Sequence, residues 1–192
     1  MASNKKFVKL LASTTAVSLT GGAAMADPAD WAGFYAGGMY SANGGEFSYA
    51  DDDYDIDLSN AGGFVGFNAA FGSVVVGLEY GLSFGAASSD YASLSDVQDL
   101  RVRVGTTFGD AFVYGAVGAS SGFVSAVGPV TPDYDVSGVS YGVGVDYAVT
   151  DQLFVGLDYT VRDMAGGEDG PGGSYVDVRS MSSISIRVGY KF

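Results

Sequence analysis

The strongest constraint on this chain is a two-residue alternation of apolar with small or polar side chains, repeated along nearly all of it after residue 30. A period of two sends successive residues to opposite faces of a strand. In Val74–Phe84, Val74, Val76, Leu78, Tyr80, Leu82 and Phe84 share one face, with Val75, Gly77, Glu79, Gly81 and Ser83 on the other. Val139–Val149 sets Val139, Tyr141, Val143, Val145, Tyr147 and Val149 against Ser140, Gly142, Gly144, Asp146 and Ala148. Leu153–Arg162 opposes Leu153, Val155, Leu157, Tyr159 and Val161 to Gly156, Asp158, Thr160 and Arg162. The last segment opposes Ile184, Ile186, Val188, Tyr190 and Phe192 to Ser183, Ser185, Arg187, Gly189 and Lys191.

Leu94–Phe108 and Phe64–Phe71 fit the same pattern less sharply. Trp31–Ser41 and Ala111–Gly122 mix apolar and small residues, so their facing stays open at this level. The eight segments are joined by connectors that run long, short, long, short along the chain. Gly72-Ser73, Gly109-Asp110 and Thr150-Asp151-Gln152 suit tight hairpins, and the long connectors cover about 43–60, 86–93, 123–137 and 163–174. Antiparallel strands joined alternately by short turns and long loops predict an all-β fold, an eight-stranded up-and-down transmembrane β-barrel. Both termini are then expected on the short-turn side, the periplasm, with the long loops outside.

A water-soluble barrel turns its apolar face inward, and a membrane barrel turns it outward to lipid. The non-apolar face here holds Gly, Ser, Thr and Ala with isolated charges, which suits a narrow lumen. Arg101, Arg103, Arg162, Arg179, Arg187 and Lys191 all fall on that parity, and Glu79, Asp146 and Asp158 are available to partner them. Charges in a lumen this narrow require partners. We therefore expect a lumen charge network of Glu79, Arg101, Arg103, Asp146, Asp158, Arg162 and Arg187. Aromatics favour the same reading, since membrane barrels place them at both interfaces. Tyr40, Phe84, Tyr141 and Tyr159 fall near the outer strand ends; Trp31, Phe71, Phe108, Tyr147, Tyr190 and Phe192 fall near the inner ends.

Residues 1–26 read as a secretory signal peptide, with Lys5, Lys6 and Lys9 ahead of the apolar Leu10–Leu19 stretch and Ala24-Met25-Ala26 before the cleavage point. Residues 27–192 form the barrel domain. The whole chain carries nine basic and 22 acidic residues, a net charge of −13; without the leader it has six basic and 22 acidic residues, a net charge of −16. That balance opposes nucleic-acid binding, which needs a cationic surface. Histidine and cysteine are absent, so imidazole bases, thiolate nucleophiles and Cys/His zinc sites are excluded. No catalytic, cofactor or metal residue is assigned, and enzymatic activity is not expected. Asp51-Asp52-Asp53-Tyr54-Asp55-Ile56-Asp57 packs five carboxylates into seven residues but lacks the glycine an EF-hand loop needs. Its bland reading is a solvated, repulsive loop.

Two stretches carry a resemblance. Asp30-Trp31-Ala32-Gly33-Phe34-Tyr35-Ala36-Gly37-Gly38 resembles the W-x-G-F-Y-x-G-G opening of small alphaproteobacterial outer-membrane barrel proteins, OmpA-like barrels often grouped as a porin family. Ser185-Ile186-Arg187-Val188-Gly189-Tyr190-Lys191-Phe192 resembles the C-terminal assembly signal of outer-membrane proteins. That resemblance implies recognition of Ile184, Ile186, Val188, Tyr190 and Phe192 by the barrel-assembly machinery of a Gram-negative envelope. The expected surroundings are outer-membrane lipid and lipopolysaccharide. The expected role is structural, in the cell envelope, with a side-chain-filled lumen. A surface adhesin using the acidic loops is the alternative, and a narrow solute pore a weaker one.

Overall fold

The computed structural model describes residues 27–49, 52–84, 87–88, 92–126, 133–167 and 175–192. Eight long strands follow one another: β1 Gly33–Tyr49, β2 Asp52–Phe71, β3 Val74–Phe84, β4 Ala92–Phe108, β5 Ala111–Ala126, β6 Asp133–Ala148, β7 Leu153–Gly167 and β8 Tyr175–Lys191. A two-residue strand, Ala87–Ser88, pairs with the outer end of β4. Each long strand pairs antiparallel with its chain neighbours, and β1 with β8 closes the ring. No described helix is long and apolar enough to cross a membrane. Closure leaves no edge to the lipid, so backbone donors and acceptors are satisfied without water.

The short turns follow from local chemistry. Gly72 and Gly109 have φ of 62° and 58°, the left-handed region a side chain resists. Glycine first and an ordinary residue second is the pattern of a type II′ hairpin turn. In the third, the Thr150 hydroxyl accepts from the Leu153 backbone N–H at 2.9 Å.

Facing follows the predicted parity. Val65, Phe71, Val104, Val143, Ile186 and Val188 are outward and exposed, as are Tyr40, Phe84, Tyr141, Tyr159 and Phe108. Glu79, Arg101, Arg103, Asp146, Asp158, Arg162 and Arg187 are buried inside. The two strands left open are settled as well. In β1, Tyr35 points in and Phe34 out; in β5, Phe112, Tyr114 and Ala116 point in.

Two expectations are corrected. The connector expected over 43–60 is largely a hairpin, because β1 runs to Tyr49 and β2 starts at Asp52 in unbroken register. Beyond the lipid neither face needs to be apolar, so a paired strand there carries no alternating signal. The same holds, less fully, for the connectors expected over 123–137 and 163–174. Trp31 does not sit at the lipid interface: it is 2% exposed, inside the short-turn mouth. The ladders around β8 shift register between Gly44 and Glu46 and between Arg162 and Met164. Arg179 thereby comes into register with Glu46 in the outer part of the sheet. The side chain of Arg179 lies outside the described residues.

Candidate functional site: the lumen

The lumen is packed in layers. At the short-turn mouth, Asp27 caps a 3-10 turn, Pro28–Trp31, with a reciprocal capping box to Asp30. The turn delivers Trp31 against Phe112 and Phe154, with ring centroids 5.4 and 5.8 Å apart. Lys191 Nζ lies 4.5 Å from the indole and donates to the Asp30 carbonyl at 3.0 Å. Asn68 donates to the Trp31 carbonyl at 3.0 Å, and the backbone N–H of Phe192 donates to the Phe34 carbonyl at 2.9 Å. Asp30 and Trp31 are thus tied to Lys191, and Phe34 to Phe192, at one stopper.

Tyr35, Phe64, Phe112, Tyr114 and Phe154 form the adjoining aromatic layer. Four inward aromatics have a glycine as cross-strand partner: Tyr35 with Gly66, Phe64 with Gly37, Tyr114 with Gly144 and Phe154 with Gly189. Each ring lies over its partner, where a Cβ would collide with it. This pairing lets eight strands enclose rings and guanidinium groups together.

Glu79 is the hub of the charge layer. Its Oε1 accepts from Arg101 at 2.6 Å and Arg187 at 3.2 Å. Its Oε2 accepts from Arg103 at 2.7 Å, Arg187 at 2.5 Å and the Tyr35 hydroxyl at 3.0 Å. Asp146 accepts from Arg103 and stands 3.3 Å from Arg187 Nε. Asp158 accepts from Arg101 at 3.0 Å and the Tyr114 hydroxyl at 2.8 Å. The Arg103 guanidinium stacks on Tyr114 at 3.8 Å and that of Arg187 on Phe64 at 4.0 Å, contacts that strengthen when water is excluded. Six of the seven expected network residues therefore converge. Arg162 stands apart, paired with Asp99 at 2.9 and 2.6 Å; Asp99 also accepts from Ser120.

Asp99 was missed, although it shares parity with Arg101 and Arg103. With it, the buried inward charges Arg101, Arg103, Arg162 and Arg187 face Glu79, Asp99, Asp146 and Asp158. These eight balance; Lys191, buried at the short-turn mouth, adds one further positive charge. Between Glu79 and Asp99 lies a cavity of about 10 Å³, room for one water at most. No cluster of three or more metal-ligating side chains occurs among the described residues.

An apolar belt around a closed antiparallel ring with a charge-filled lumen defines a transmembrane β-barrel of the outer-membrane class. The chain belongs to the outer membrane protein beta-barrel domain family, whose model matches residues 12–192. A 22 kDa outer membrane protein of Rhizobium leguminosarum bv. viciae is 28% identical over 173 residues, covering 84% of this chain and 78% of that one. Among solved structures, Neisserial surface protein A matches with a TM-score of 0.53 and 14% identity, covering 83% of this chain and 97% of that one. OprG of Pseudomonas aeruginosa gives 0.52 and 15%, covering 84% and 96%. Ail, the attachment invasion locus protein of Yersinia pestis, solved with the heparin analogue sucrose octasulfate, gives 0.50 and 13%, covering 83% and 99%. At these identities the structural likenesses concern the fold. The protein is an outer-membrane β-barrel.

Proposed function

We propose that this chain is a closed, non-catalytic barrel of the outer membrane, with a structural and surface role in a Gram-negative envelope. The stopper, the aromatic layer and the paired charges that fill the described lumen carry this reading. Every buried acid among the described residues is bound to a guanidinium, so none of these is available as a general base. A solute crossing the barrel would have to displace the Trp31 stopper and part the Glu79 cluster. In planar bilayers the purified barrel should give no stable conductance of porin size. Steady open channels of that size would sink the closed-lumen reading.

In this reading residues 1–26 are the export leader, removed before Asp27, and both ends face the periplasm. The acid-rich β1–β2 hairpin then projects outside, into or beyond the lipopolysaccharide layer. A polyanion such as the one held by Ail has little attraction to that surface, where Asp52, Asp53, Asp55 and Asp57 follow one another along β2.

Ile184, Ile186, Val188, Tyr190 and Phe192 form an outward apolar row ending in Phe192, which is 79% exposed. That row is available to the barrel-assembly machinery before lipid covers it. Deleting Phe192 should lower the folded, heat-modifiable protein in the outer-membrane fraction several-fold. An unchanged amount would remove the assembly role from this row.

A further inference from the structure

Gly81 stands out among the glycines of the lumen wall. Other inward strand glycines, among them Gly37, Gly66, Gly118, Gly144 and Gly189, sit where a Cβ would collide with backbone or with a neighbouring side chain. Close packing demands them. Gly81 is buried on the same parity, yet a Cβ there would meet Met39 Cε at 3.7 Å and Asp99 Cβ at 4.0 Å, ordinary contact distances. Its φ is not positive, so the backbone does not require glycine either. The room comes from Phe64, which lies between Gly37 and Gly81 in the ladders. Its ring covers Gly37 and leaves Gly81 uncovered.

Gly81 lines the cavity of about 10 Å³ between Glu79 and Asp99. Glu79, Asp99 and Asp158 surround that space together with Arg101, Arg162 and Arg187. Acids and bases match there, so the space favours neither an anion nor a cation. A neutral polar ligand of the size of water fits both its charge and its volume.

Arg162 supplies the second half of the site. Its Nε and Nη2 donate to Asp99 at 2.9 and 2.6 Å. Its Nη1 is fully buried and has no hydrogen-bond partner among the described residues. A buried donor left without an acceptor is costly. Ser140, opposite Arg162 across the β6–β7 ladder, is buried without a partner as well, but it does not line the cavity.

We propose that this cavity binds one water molecule, which accepts from Arg162 Nη1 and donates to a carboxylate of the Glu79 cluster. The water joins the outer Arg162–Asp99 pair to that cluster in one network, and glycine at position 81 keeps its place open. A single bound water is one hydrogen-bond partner and does not replace the solvent shell of a charge.

The test is the sign of the stability change in Gly81→Ala, measured on the folded barrel in lipid vesicles. In an unfilled cavity the added methyl packs and the unfolded chain loses freedom, which would raise the urea midpoint by about 0.3 M. Displacing a water that satisfies Arg162 Nη1 should instead lower it by about 0.5 M. In the Asp99→Leu, Arg162→Met background no Nη1 remains, and there Gly81→Ala should raise the midpoint. Heat-modifiable migration confirms that each variant folds. Water-selective NMR gives the direct reading, because Met39 also lines the cavity. Magnetisation from a long-lived water should reach the Met39 methyl protons in the native barrel and fail to do so in Gly81→Ala. A raised midpoint for Gly81→Ala alone, or a native barrel without that transfer, overturns the site. An equal fall in both backgrounds assigns the loss to crowding and overturns it too. None of these failures touches the closed lumen, since the Trp31 stopper and the paired charges do not depend on this water.

Discussion

Replacing Glu79 with leucine should destabilise the folded barrel by about 3–5 kcal/mol, the cost typical of removing one partner from a buried ion pair. Arg101, Arg103 and Arg187 all donate to this carboxylate, at 2.5–3.2 Å. Leucine would leave the lumen with one uncompensated positive charge and no water to solvate it. With urea slopes of about 1–3 kcal/mol per molar, the unfolding midpoint in lipid vesicles should fall by a molar or more. The paired variant Asp99→Leu with Arg162→Met gives the contrast. It removes both members of the outer pair and should shift the midpoint little, since an apolar replacement of a whole pair is often near neutral. A Glu79→Leu midpoint equal to the native value would show that the cluster does not hold the barrel together.

Gly118→Val should abolish the folded barrel or cost it about 3 kcal/mol or more. A Cβ at Gly118 would meet the Leu100 carbonyl and approach Arg101 Cα at 2.7 Å. Both are backbone, so no rotamer change relieves the overlap. Gly115→Val, three residues earlier on the same strand, points to lipid and should fold as the native chain does. Gel migration before and after heating distinguishes folded from unfolded protein for both. Normal folding of Gly118→Val would mean that the β4–β5 ladder yields where close packing says it does not.

These two contrasts rest on different levels of the sequence. The strand alternation was legible because lipid imposes it: one side of each wall strand must be apolar through the bilayer, and the residues record that. Charge parity was legible for the same reason, since Arg103 cannot face lipid. Pairing was not, because Arg103 bridges Glu79 on β3 and Asp146 on β6, two strands far apart around the ring. Trp31 was misplaced by a rule that is sound for the interface but silent about a turn that folds back into the lumen. The inward rings of Tyr35, Phe112 and Tyr114 went unread because their strands mix apolar and small residues on both faces, and Phe64 and Phe154 because the apolar parity of their strands points the other way. For Tyr35, Phe64, Tyr114 and Phe154 the cue is a glycine directly across the ladder, which becomes visible only once register is known. Outside the bilayer no solvent enforces alternation, and the β1–β2 extension therefore left no trace in the pattern.

The equal count of guanidinium groups and carboxylates in the lumen has an electrical consequence. A voltage across a membrane does work on a protein only through charge that it can displace, at about 2.3 kcal/mol per elementary charge for each 100 mV. In the paired layers the four guanidinium groups are locked to four carboxylates and sum to zero, and Lys191 at the short-turn mouth is the one further buried charge among the described residues. A field along the barrel axis would polarise the cluster but has no net charge to drag. The wall should therefore hold the same shape whether or not an ion gradient stands across it.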